Sequence, residues 1–197
     1  MRRGECKRET GETKINVVLD LDGGGRVRKI RTSIGFFDHM LDLMGAHGYF
    51  DLEVVCDGDI HIDAHHSVED VGLAFGAALK AALGDKKGIR RYASCHLPMD
   101  EALVLVALDL SNRPFLQYDV DIQPGQFVGT MDAQLMEEFF RAVAVAGGIT
   151  LHIKQFSGRN IHHILEAVCK GFGRALADAA QIDPRSPGIP STKGVLS

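Results

Sequence analysis

A chain of 197 residues, 45% hydrophobic and 24% charged, is long enough to bury one substantial core or two small fused ones. A net charge of −4 and a pI near 6.1 argue against nucleic acid or an anionic membrane as the main partner. No apolar run reaches the roughly 20 residues that span a bilayer, and the start MRRGECKRETGE carries no secretory h-region. Cys6, Cys56, Cys95 and Cys169 form no CxxC pair, so the expectation is a cytoplasmic protein with reduced thiols.

In chain order, TKINVVLDLD alternates apolar and polar residues up to GGG, which predicts a strand, with RVRKIRTSI as its hairpin partner. FFDHMLDLMGAHG places Phe37, Met40, Leu41 and Met44 at helical spacing and predicts a helix stopped at Gly48. YFDLEVVCDGD is a strand, and HHSVEDVGLAFGAALKAALG is a long helix with a small-residue face and Gly84 past its end. The order then repeats. EALVLVALDL and PFLQYDVDI are strands around SNRP, DAQLMEEFFRAVAVAGG is a helix, ITLHIKQF a strand and IHHILEAVCKGFGRALADAA a helix. The tail IDPRSPGIPSTKGVLS, rich in Pro, Ser and Gly, reads as an arm that orders over a bound group.

Laying His65–Leu79 over His162–Leu176 gives 8 identities in 15 positions, including both histidines and the glutamate of HHxxE. We read an internal duplication: an α+β protein of two ββαβα halves, each a two-layer sandwich with helices on a mainly antiparallel sheet. The first repeat covers 1–94, the second 95–181, and the C-terminal arm 182–197.

On a helix, residues four apart share a face, so His65 faces with Glu69 and His162 with Glu166. His66 and His163 lie about 100° round the axis, too far for adjacent rings to grip one ion easily, so each pair is expected to serve two ions. A single HHxxE is usually a solvated first turn; its recurrence in register points to metal. Placing DHML over EEFF makes His39 and Glu138 equivalent under the repeat, 26 residues before His65 and 24 before His162 respectively. Histidines with carboxylates and no thiolate suit manganese, iron or zinc. On the residues alone His47 reads as a helix C-terminal histidine favoured by the dipole, and His61, His96 and His152 as structural. For Arg91, Arg113 and Lys193 the plain alternative is a solvated surface charge.

FFDHMLDLMGAHG, GDIHIDAHHSVED, PMDEALVLVALDLSNRP, GRNIHHILEAVCKGFGRAL and PSTKGVLS together resemble the imidazoleglycerol-phosphate dehydratases, in the family's order, from about Glu12 to the C-terminus. On these motifs the resemblance implies a ribosomal protein S5 domain 2-like fold and a homo-oligomer of 24 subunits with active sites between them. Each site would take two Mn2+ ions and dehydrate D-erythro-imidazole glycerol phosphate to imidazole acetol phosphate in histidine biosynthesis, with the imidazole held as a metal-bound imidazolate. The implied metal ligands are His39, His65, His66, Glu69, Glu138, His162, His163 and Glu166. Glu138 stands where the family usually has histidine. The implied substrate contacts are Glu12, His39, His47, His65, Glu69, Arg91, Arg113, His162, Glu166, Ser191, Thr192 and Lys193, with Glu12, His47, Glu69 and Glu166 as catalytic groups. Two rivals remain on the residues alone: a dinuclear metallohydrolase and a non-catalytic metal-binding shell.

Overall fold

The computed structural model describes residues 1–186 and 188–196. Its first half runs β1 (Arg3–Glu9), β2 (Thr13–Asp20), β3 (Arg28–Arg31), α1 (Gly35–Gly48), β4 (Asp51–Gly58) and α2 (His65–Leu83). Its second half runs β5 (Tyr92–Met99), β6 (Ala102–Asp109), β7 (Phe115–Asp119), α3 (Leu135–Gly147), β10 (Thr150–Ser157) and α4 (Ile161–Ala180). A small hairpin of β8 (Phe127–Val128) and β9 (Met131–Asp132) lies between β7 and α3. The two main sheets have the orders β1-β2-β4-β3 and β5-β6-β10-β7, one a copy of the other.

The duplicated α+β arrangement stands, and each half carries one strand more than ββαβα. The added strands, β1 (RGECKRE) and β5 (YASCHLPM), are edge strands with a single buried residue each, Gly4 and Leu97. β1 is mostly charged, while β5 sets Ala93, Cys95, Leu97 and Met99 toward the core and Tyr92, Ser94 and His96 outward; β2 and β6 supply the pairing. The expected hairpin of β2 with β3 does not form. β2 already has β1 on one side and β4 on the other, so β3 pairs parallel with β4, Arg28 opposite Leu52 through Arg31 opposite Val55. β7 makes the equivalent parallel pair with β10.

The alternating pattern of β2, buried at Thr13, Ile15, Val17 and Leu19, turns one sheet face inward, and β6 does the same with Val104, Val106 and Leu108. Helices cover those faces, and the halves then stack helix to helix: α1 packs on α4, and α2 on α3. Two two-layer halves thus give four layers, sheet, helices, helices, sheet, with one core. Phenylalanines stitch the middle: ring centroids lie 5.3 Å apart for Phe37 and Phe139, 6.4 Å for Phe75 and Phe172, and 5.2 Å for Phe140 and Phe172. Each such pair adds about 1 kcal/mol beyond its buried area.

Both helix crossings need glycine. A Cβ on Gly76 of α2 would stand 2.8 Å from Ala146 Cβ and Val143 O of α3, and one on Gly173 of α4 would stand 2.5 Å from Met44 O of α1. Gly48 is the last residue of α1, as expected, although it does not itself take the left-handed conformation. A Cβ there would meet the Phe50 ring and, at 2.9 Å, Gly173 O, so close packing explains this glycine. The left-handed cap falls on Tyr49, φ 54°, whose N–H donates to Gly45 O. Among the described residues no helix is long and apolar enough to cross a membrane.

Candidate active site and metal centre

Each HHxxE opens its helix where the first two strands of its half turn round: α2 near the β1–β2 turn, α4 near the β5–β6 turn. Asn160 caps α4, its Oδ1 accepting from His162 N at 3.0 Å, and Asp63 Oδ1 does the same for His65 N at 2.7 Å. The α1–α4 crossing then brings residues from both halves together. Glu166 Oε1 lies 2.9 Å from His39 Nε2 and 3.0 Å from His162 Nε2, while Lys170 Nζ donates to its Oε2 at 2.5 Å. Burial would raise the Glu166 carboxyl, but the hydrogen bonds from Lys170, His39 and His162 outweigh it and hold it down at about 2. One donor atom each from His39, His162 and Glu166 falls within a sphere where all lie within 4.8 Å of one another. Two imidazoles and an ionised carboxylate at that spacing fit the inner shell of a divalent cation.

Among the described residues that is the one group of three. The pseudo-equivalent set on α2 and α3 is looser. His65 Nε2 lies 3.7 Å from Glu69 with both side chains nearly half exposed, and Glu138 on α3 lies 3.7 Å from Arg141 Nε. His66 and His163 turn to other partners. His66 Nδ1 faces Asp59 at 3.0 and 3.2 Å, and His163 Nδ1 faces Glu101 Oε2 at 2.8 Å. Those carboxylates raise both histidines above their ordinary values.

Glu12 stands just before β2, exposed, with Oε1 3.8 Å from His66 Nε2. Its turn is fixed from below. Thr10 Oγ1 accepts from Glu12 N at 3.1 Å and Thr13 N at 3.0 Å, and Asp70 of α2 takes Thr13 Oγ1 at 2.5 Å and Arg8 Nε at 2.9 Å. His47, in the last turn of α1, is lowered by burial and then by Lys170 and Arg174, so it is a neutral imidazole at pH 7 rather than a dipole-stabilised cation.

Arg91, Arg113, Ser191, Thr192 and Lys193 line one open cleft of about 750 Å³. Arg91 is buried and largely committed. It binds Asp109 through Nε at 2.7 Å and Nη2 at 3.1 Å, and Pro190 O through Nη1 at 2.8 Å. Three of a guanidinium's five N–H groups are thereby used. Its contact with Pro190 O, together with Gly88 N donating to Gly188 O at 2.9 Å, lays the tail beside Arg113. Arg113 is mostly exposed, its side chain reaching Asp109 at 3.4 Å.

Sequence reasoning did not single out Lys170, Asp59 or Glu101. Lys170 was readable, four residues beyond Glu166 on the same helix face. Asp59 and Glu101 reach their histidines only through the fold, Glu101 from 62 residues away. His61, expected on a strand, lies in the turn after β4; His96 and His152 are exposed on β5 and β10, beside Phe156 and Phe115.

The family described as imidazoleglycerol-phosphate dehydratase (IGPD) matches residues 32–176. The chain is 56% identical over 195 residues to the imidazoleglycerol-phosphate dehydratase of Acetivibrio thermocellus, covering 99% of each. It is 56% identical over 197 residues to that of Paracoccus denitrificans, covering 100% of each. The crystal structure of IGPD from Pyrococcus furiosus in complex with (S)-C348 matches with a TM-score of 0.83 at 37% identity, covering 96% of this chain and 99% of that one. The enzyme from Staphylococcus aureus subsp. aureus N315 matches with a TM-score of 0.82 at 36% identity, covering 92% and 99%. With fold, motif order and identity in agreement from end to end, the chain belongs to the imidazoleglycerol-phosphate dehydratase family and is a hydro-lyase of histidine biosynthesis.

Proposed function

We propose that this enzyme dehydrates D-erythro-imidazole glycerol phosphate to imidazole acetol phosphate at a site holding two Mn2+ ions and completed between subunits of a cytoplasmic homo-oligomer. The observation that carries the reading is the convergence of His39, His162 and Glu166, whose donor atoms lie within 4.8 Å of one another. A further cation would draw on His65, His66, Glu69 and His163, with Glu138 brought by α3 in the place His39 holds on α1. Four unpaired cysteines are in keeping with a reducing compartment.

Bound there, the cations would supply Lewis acidity, stabilising the charge that the substrate's imidazole carries during the elimination. The chain's own groups do the rest. The reaction takes a hydroxyl from the carbon joined to the ring and a proton from the next carbon, releasing water and an enol that becomes the ketone. Glu12, exposed beside His66 on a turn braced by Thr10 and Asp70, is the acid–base group that moves the proton. His47, kept neutral by its surroundings, is the second group able to accept one. Arg113 and Lys193 offer cations to the phosphate, Ser191 and Thr192 offer hydroxyls, and Arg91 holds their segment through Pro190 O.

The inter-subunit site is supported by a length. Arg91 and Arg113 lie beside one end of β5 and β6, while Glu101 and His163 lie at the other. The eight residues of β6 span about 23 Å. A substrate with three carbons between ring and phosphate cannot bridge that, so the phosphate cleft of one chain serves the histidines of another.

The test is an assay of metal-stripped enzyme reloaded with Mn2+ and given imidazole glycerol phosphate. Turnover that yields a ketone, frees no phosphate, disappears with chelator and returns with Mn2+ is expected. His162→Ala is expected to abolish it. Phosphate release would indicate a metallohydrolase, an untouched substrate a metal-binding shell, and full turnover without metal would overturn the metal assignment.

A further inference from the structure

The second histidine of each pair is held in the same way by carboxylates that come from unrelated places. We infer that Glu101 and Asp59 are positioning residues for the metal centre: each fixes Nδ1 of its histidine and leaves Nε2 as the free ligand atom. The inference rests on the reading of His163 and His66 as cation ligands.

In the second half, one carboxylate does two jobs. Glu101 Oε1 accepts from Arg159 N at 3.1 Å and Asn160 N at 2.8 Å, just ahead of α4, and Oε2 lies 2.8 Å from His163 Nδ1. The start of the helix and the imidazole it carries are thus tied to the same rigid turn. On the other side, among the described residues, His163 Nε2 has only Asn160 Nδ2 at 3.5 Å and Asp100 Oδ2 at 3.7 Å as polar partners. In the first half, Asp59 takes His66 Nδ1 at 3.0 and 3.2 Å, and Glu12 Oε1 lies 3.8 Å from Nε2. A carboxylate at Nδ1 selects the tautomer whose proton sits on Nδ1. It keeps the Nε2 lone pair available, makes that nitrogen more basic and stops the ring from rotating.

The duplication makes this more than inherited packing. Glu101 immediately precedes β6, as Glu12 immediately precedes β2, so simple copying would put Glu12 on His66 Nδ1. It does not lie there. The link before α2, residues 59–64, carries Asp59, which takes the contact; the link before α4 is only Gly158, Arg159 and Asn160, with no carboxylate. The Nδ1 contact has survived while its supplier has changed, which marks the contact itself as what function requires. It also explains why Glu12 is free to move protons and Glu101 is not.

Glu101→Gln separates positioning from plain structural support. The glutamine oxygen can still accept the Arg159 and Asn160 amides. Its NH2 would oppose Nδ1 and drive the ring proton to Nε2, the tautomer that cannot bind a cation. Full-length holoenzyme would be titrated with a chelator of known affinity, the retained Mn2+ counted by atomic absorption, and thermal unfolding followed alongside. Expected is a roughly 10- to 100-fold weaker affinity at one class of site in Glu101→Gln, with a melting temperature close to that of the parent. Asp59→Asn should weaken the other class similarly, and His163→Ala should lose its site. Unchanged affinity in Glu101→Gln, beside a lost site in His163→Ala, overturns the inference alone. His163→Ala binding like the parent overturns the ligand reading and the inference with it. Loss of affinity in Glu101→Gln only in step with a large fall in melting temperature assigns Glu101 a structural role and overturns positioning.

Discussion

Glu12 and Lys86 sit at opposite extremes of exposure, and each yields a measurement. Glu12 is open to solvent on a braced turn, so Glu12→Gln should remove its proton transfer and little else. A fall in kcat of about 10²- to 10⁴-fold is expected, with Mn2+ content unchanged; near-parental turnover would remove Glu12 from the mechanism. Lys86 is 2% exposed, its ammonium donating to Leu110 O at 3.0 Å and Asn112 Oδ1 at 2.7 Å. Burial, then Lys80, lower it from 10.5 to about 8. The folded chain therefore releases this proton before the unfolded chain does. Between those two values the unfolded state binds more protons, and stability rises with pH. Relative to Lys86→Met, the parent should gain about 2 kcal/mol between pH 7.5 and 9.5 in urea denaturation. Parallel curves would show that the ammonium is not penalised.

At the level of the element, the site depends on how near α1 can come to α4. Gly173→Ala would set a Cβ 2.5 Å from Met44 O and force the helices apart. Destabilisation of about 1–3 kcal/mol is expected, with weaker Mn2+ retention by His39, His162 and Glu166. Gly11→Ala, where a Cβ meets nothing within 4 Å, is the control and should change neither. The helices were legible because each announces itself by apolar spacing; α4 spans Ile161–Ala180 as its pattern predicts. Strands β1 and β5 were not: β1 is mostly charged, and the inward alternation of β5 is written partly in Ala and broken by Pro98, residues depleted in strands. The parallel pairing of β3 was hidden for a related reason: no local signal says that both flanks of β2 are already occupied. The HHxxE pairs were visible as repeated letters. The carboxylates behind them, Asp59 and Glu101, were invisible because only the fold decides which loop a given ring nitrogen meets.

At the scale of the whole molecule, the proposed site, split between the two ends of β6 and shared among chains, would tie assembly to metal. If the cations are gripped by residues of neighbouring subunits, they lend their binding energy to the interfaces. Light scattering of the enzyme with and without chelator should then show a large drop in mass on stripping, recovered with Mn2+; an unchanged mass would separate assembly from metal. Inside one chain the helices obey a comparable exchange. α1 of the first half seeks α4 of the second, and α2 seeks α3, so the cluster of His39 with His162 and Glu166 is owned by neither half. A lone ββ-first half would expose the whole helical face that its sibling now covers and would carry a histidine waiting for a glutamate it does not encode. A polypeptide nicked between α2 and β5 should consequently stay as one particle, its fragments parting only when the protein unfolds.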